Sequence, residues 1–245
     1  MDALLRAAVL LLPIGYLLVA AAYGRVFFSG DERAERLASP ALAGLLAGHL
    51  IALVLLAIRW HQFPAATISQ ALSLLAFAVA AVYALLERLG RDRTTGFWLI
   101  ALAFTFQFLS SLLARPTPPD FARLHDPWVS VHVALGVLGY AGFAVAAAYG
   151  FLFLQLYREL KGRRFSTFFG KLPPLEVLER MMNGALVAGW AALTGAVAAG
   201  LFSAERLVQG TWMSDPKILA TLATWALYGL ALLFRRLRRW QARQT

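Results

Sequence analysis

The chain has 245 residues, 60% hydrophobic and only 15% charged, with mean hydropathy +0.65 and a net charge of +10. A soluble domain lies nearer half apolar and a quarter charged, so a water-soluble fold is excluded and a polytopic membrane protein is indicated. The positive residues fall between the apolar runs, which fits anionic lipid and the positive-inside bias and argues against nucleic acid, and the absence of cysteine removes disulfides, thiol nucleophiles and Cys-bound metal.

The first apolar run predicts a membrane helix over about 5–24. VAAAYG would offer a signal-peptide cleavage site, but the n-region MDALLR sets Asp2 against Arg6, so the run reads as a retained helix. GDERAERLA then reads as a weakly amphipathic surface segment. A second helix over about 40–58 carries Gly44, Gly48 and, near mid-membrane, His49; third and fourth helices follow over about 66–86 and 95–113. The fifth, about 128–156, opens with LHDPWVSVHVALGVLGYAG, in which Asp126 is placed as N-cap and Pro127 as first helical residue. This helix exceeds what a bilayer needs, so it is expected to tilt or project into water. His132 falls about one turn inside it.

Between the fifth and sixth helices, Leu175, Leu178 and Met182 recur at helical spacing with Glu176, Glu179 and Arg180 among them. That pattern predicts a short amphipathic helix, about 173–181, lying on the membrane surface. The sixth membrane helix is expected over about 182–203 and contains GAVAAG from Gly195. The glycine spacings 44/48, 136/139 and 195/200 predict close helix approach. In QGTWMSDPKILATLATW, Asp215 is the expected N-cap, Pro216 the first helical residue and Trp212 a headgroup-level anchor for a seventh helix, about 216–234. The expected fold is therefore all-α: one membrane domain, 1–245, of about seven helices. Seventeen of the 23 Lys and Arg residues fall on one side of it, which predicts the N-terminus outside and the C-terminus inside.

Four histidines are present. His61 and His125 fall in outer loops, His132 just inside the outer end and His49 deep in the second helix. An ionisable group at His49's depth either bonds a neighbouring helix or faces a cavity or ligand. No H-x-x-x-H or H-E-x-x-H spacing, Ser-His-Asp set, phosphate loop or carboxylate pair exists, so no enzyme is expected. The fifth and seventh helices both open on Asp-Pro beside a tryptophan. As neighbours they would gather Asp126, Trp128, His132, Trp212 and Asp215 at one outer site, flanked by Lys217, Arg123 and Arg206. Such a set suits a flat, anionic, metal-bearing macrocycle; the plain alternative is two interfacial helix starts using the same common caps.

At these residues the chain resembles the cytochrome c assembly proteins of the CcsA/CcmC type, most of all the shorter HemX/YpjD-like members. The likeness runs from GHLIAL onward and is carried by WVSVHVALGVLGY, LPPLEVLER and WMSDPKILATLATWALY, in that order. The resemblance implies a multi-helix bundle in the bacterial cytoplasmic membrane that handles haem on its outer side and works with cytochrome c maturation proteins. It implies haem b as cofactor, His132 as the first external axial ligand, Trp128, Trp212, Asp215 and Lys217 around the macrocycle, and His49 as a further candidate ligand. The sequence departs from the family pattern in keeping only Trp212 of the tryptophan-rich WWD loop, in lacking the second external histidine and in stopping after the seventh apolar run. The expected function is haem binding or handling in cytochrome c assembly. A second reading is a non-catalytic membrane partner of a cytosolic haem-biosynthesis enzyme, docked through 158–171 and LPPLEVLER. A small-solute transporter fits less well, since no acidic residue lies deep inside an apolar run.

Overall fold

The computed structural model describes residues 3–90, 93–114, 122–163, 170–207 and 216–241. These residues form seven α-helices, a short 3-10 turn over Ala122–His125 and no strand. The helices are α1 Ala3–Ser29, α2 Glu32–Trp60, α3 Ile68–Gly90, α4 Gly96–Leu112, α5 Pro127–Gly162, α6 Leu175–Leu207 and α7 Pro216–Gln241. All but α4 are long and apolar enough to cross a membrane. The 17 residues of α4 span about 25 Å, a little short of a ~30 Å hydrocarbon core. The chain is an all-helical, multi-pass membrane protein.

Two expected surface segments are not separate elements. Asp31 accepts hydrogen bonds from the backbone N–H groups of Arg33 and Ala34, so α2 starts at Glu32 and absorbs ERAERLA. The helix then passes through Pro40. The short helix expected over 173–181 is the opening of α6, which runs unbroken from Leu175. Leu178, Met181 and Ala185 are buried at three- and four-residue spacing, one stripe shared by the supposed surface helix and the membrane span.

The packing falls into two groups. Helix α1 lies against α2 and α4, and α3 against α2 and α4; α5 and α6 form the most extensively packed pair, and α3 joins the groups by packing on α5. Apolar burial gives little drive between helices in lipid, so contact depends on close approach and on satisfied polar groups. At the α5–α6 crossing a Cβ on Gly142 would stand 2.6 Å from the Gly189 Cα, so the two backbones touch. Among the described residues Gly44 and Gly48 have no neighbour to approach, and both are exposed. Helix α7 rests on α6 through Trp190 and Trp225, which stack at 5.7 Å. The Trp190 indole N–H donates to the Trp225 carbonyl, and the Trp225 indole to Thr194 Oγ1.

One end of the bundle gathers the basic connections. Arg25 pairs with Asp31 at 2.7 Å, Lys171 donates to the Phe28 carbonyl, and Arg235 pairs with Glu179 at 3.2 Å. Beside them Glu87, the buried carboxylate of α3, accepts from Tyr23 of α1, Ser39 of α2 and Arg93. Residue order alone does not point to a buried acid here, because Glu87 leads directly into Arg88, Arg91 and Arg93. At the opposite end the Phe63 N–H donates to the Leu124 carbonyl, tying the α2–α3 connection to the entry of α5. His61, His125 and His132 share this second end.

Candidate functional site

Helix α5 starts where its Asp-Pro step predicts. Asp126 accepts from the N–H groups of Trp128 and Val129, and Pro127 occupies the first turn, where an N–H would have no partner. Ser130 adds a bond from its hydroxyl to the Leu124 carbonyl. This anchored first turn presents Trp128, 50% exposed, with its ring 6.0 Å from that of Phe202 on α6.

One turn deeper, His132 turns toward α6. Its Nδ1 lies 2.7 Å from the Ala196 carbonyl oxygen. A carbonyl can only accept, so Nδ1 carries a proton, and in the neutral ring Nε2 keeps its lone pair. The ring lies directly on Gly200, where a Cβ would come within 2.8 Å of Nδ1. The half-buried imidazole is therefore fixed in tautomer and direction by main-chain atoms of α6, the arrangement that orients histidine toward a metal.

His49 is fully buried and differently engaged. Tyr16 of α1 lies 2.9 Å from its Nδ1 and Ser73 of α3 3.0 Å from its Nε2. Ser73 donates to Gln107 Oε1, so it accepts from His49 Nε2–H, and Nδ1 accepts from the tyrosine. Both ring nitrogens are committed to neighbouring helices, the plainer of the two readings open at its depth. The cavity beside it, about 40 Å³, is bordered by His49, Ser73, Gln107, Ser111 and Trp60. It has room for a few water molecules, against the roughly 300 Å³ and upward of small-molecule sites.

The structure thus brings together Asp126, Trp128 and His132 with α6, whereas His49 takes its partners from α1 and α3. Trp212 and Asp215 lie outside the described residues, as do the side chains of Lys217, Arg123 and Arg206. Helix α5 meets α7 deeper in the bundle, where Phe143 and Tyr228 stack at 3.9 Å. Sequence reasoning gives Gly200 only a packing role and Ala196 no site role, because they act through an absent side chain and a carbonyl, which residue type alone does not advertise. Among the described residues no group of three or more His, Cys, Asp or Glu could hold a bare metal ion. A haem asks less of the protein, since the porphyrin fills four iron positions and one oriented imidazole can occupy a fifth. His132 fits that role.

Comparison with known proteins follows the same line. The family described as "Cytochrome C assembly protein" matches residues 42–245. The chain is 24% identical over 207 residues to the cytochrome c biogenesis protein CcsA of Chlamydomonas reinhardtii, covering 79% of this chain and 56% of that one. It is 24% identical over 156 residues to the inner membrane protein YpjD of Escherichia coli K12, covering 63% and 58%. It is 23% identical over 211 residues to protein HemX of Brevibacillus brevis, covering 86% and 78%. It therefore spans little more than half the length of the first two relatives. No solved structure matches the chain. With a family match reaching from α2 through α7, this chain belongs to the cytochrome c assembly protein family.

Proposed function

We propose that this chain is a non-catalytic haem-handling membrane protein of cytochrome c maturation, holding a b-type haem at its histidine end through His132 Nε2. Family membership supports a haem-related membrane role in cytochrome c biogenesis. The observation that carries the ligand assignment is the His132 Nδ1–H bond to the Ala196 carbonyl, which leaves Nε2 as an oriented donor. Bound haem supplies an iron that accepts this lone pair. The chain's own part is to hold the ring still, to offer the half-exposed Trp128 face beside it and, from the α7 entry, to border the macrocycle with Trp212, Asp215 and Lys217. His49 could ligate only by giving up Tyr16 or Ser73, so His132 would hold the haem without it, and any further donor would come from water, His125 or a partner.

The excess of basic residues at the opposite end supports a topology with the histidine end outside a bacterial cytoplasmic membrane. Purified protein titrated with hemin should develop a Soret band that shifts or disappears in His132→Ala and persists in His49→Gln. No Soret band in protein from haem-replete cells, and none on hemin addition, would reject the reading.

A regulatory role draws on the basic end, where Glu176, Glu179, Arg180 and Asn183 line an open cleft of about 340 Å³. A cytosolic enzyme docked there would still co-purify with His132→Ala but not with a chain lacking 158–171.

A further inference from the structure

We infer that Gly200 is a positioning residue for His132: its missing side chain lets the imidazole lie on the α6 backbone, reach the Ala196 carbonyl with Nδ1–H and leave Nε2 for a ligand. The inference rests on the reading of His132 as haem ligand and extends it to a residue that touches no haem.

Three observations meet at this point. The His132 Nδ1 is 2.7 Å from the Ala196 oxygen. A Cβ at Gly200 would stand 2.8 Å from Nδ1 and 2.9 Å from Cε1. Those are atoms of a rigid ring tethered at the contact by its hydrogen bond, so relief requires the whole imidazole to swing away and release the carbonyl. The third observation is the acceptor itself. Because it is main chain, no substitution at Ala196 deletes it, and the clearance at position 200 is the handle by which the sequence controls the bond. Gly195 makes the contrast on the same α5–α6 seam. Among the described residues a Cβ there meets only the Leu135 Cδ1 methyl, at 3.1 Å, the far end of a flexible side chain.

The test uses full-length protein in lipid nanodiscs as wild type, Gly200→Ala, Gly195→Ala and His132→Ala. Two readouts are taken: hemin titration followed by Soret absorbance and midpoint potential, and ¹⁵N NMR of histidine-labelled, hemin-free protein at alkaline pH. Gly200→Ala should weaken hemin binding about 10- to 100-fold, the range for loss of a histidine's outer partner, and shift the potential. It should also move the His132 ¹⁵N pattern off the Nδ1–H tautomer, while Gly195→Ala leaves both readouts at wild-type values. Equal affinity and equal ¹⁵N pattern in Gly200→Ala and wild type, with binding lost in His132→Ala, overturns the role of Gly200 and spares the haem reading. Wild type that binds no hemin but shows the Nδ1–H tautomer, lost in Gly200→Ala, overturns the haem reading and leaves the seat standing. Should Gly200→Ala fail to fold, a wild-type His132 carrying its proton on Nε2 overturns the inference without it.

Discussion

His49 and His132 carry their ring protons on different nitrogens, and in each case the neighbour's chemistry decides which. A carbonyl facing His132 can only accept, while the Ser73 hydroxyl facing His49 has already spent its proton on Gln107. Ser73→Ala would leave the His49 N–H unpaired in the bundle at a cost of about 1–3 kcal/mol. Its denaturation midpoint should fall while its hemin titration stays at wild type. The depth of His49 was legible from its place in an apolar run. Its satisfaction was not, because Tyr16 and Ser73 stand 33 and 24 positions away and only helix packing brings them in. Asp31 offers a pH-dependent counterpart outside the membrane. The N–H groups of Ala34 and Arg33 hold its carboxyl below the usual carboxylate range. The cap therefore contributes above the unfolded carboxylate's range and is lost as pH falls through the lowered folded value. Amide exchange at Ala34 should accelerate on acidification in wild type, and should be fast and pH-insensitive beyond the intrinsic rate in Asp31→Ala.

Among the elements, the α5–α6 pair decides whether the site exists, since it sets the Ala196 carbonyl against His132. Gly189→Leu would drive apart backbones that touch, with overpacking costs of about 1–3 kcal/mol. Stability and hemin affinity should fall together, unlike in Ser73→Ala, where only stability falls. The apolar run and the Asp126-Pro127 start made α5 legible from residue order alone. The opening of α6 was not, because Glu176, Glu179 and Arg180 between Leu175 and Met182 mimic a surface helix, and continuity with Met181 and Ala185 shows only once the buried stripe is followed through. Small-residue spacing misled at Gly44 and Gly48 for a related reason: it marks where a helix can be approached, not whether a partner comes.

For the molecule as a whole, the Glu87 cluster closes the basic end across α1, α2 and α3. Glu87→Ala would strand the Tyr23 and Ser39 hydroxyls, again about 1–3 kcal/mol, with little added for Arg93, which is part-exposed and screened. Thermal unfolding in nanodiscs measures the loss, and Glu87→Gln, which keeps an acceptor oxygen, should recover part of it. Orientation is readable directly, since a chain without cysteine gives no background to thiol reagents. His61→Cys in intact cells should react with an impermeant maleimide, and Lys171→Cys should react only after lysis. The reverse pattern would invert the proposed topology.

The two helix groups meet through α3 on α5 and are fastened at both ends, by Phe63 to Leu124 and by Thr95 to the Tyr149 hydroxyl. None of these fastenings needs the peptide chain to be continuous between α4 and α5. Each half keeps whole hydrophobic helices, and bilayer-spanning helices insert before they associate. A gene cut between Ala114 and Ala122 should therefore yield two fragments that find each other in the membrane, co-purify and restore the His132 seat. The connection would then count as a tether that raises local concentration, with recognition residing in the helix faces themselves.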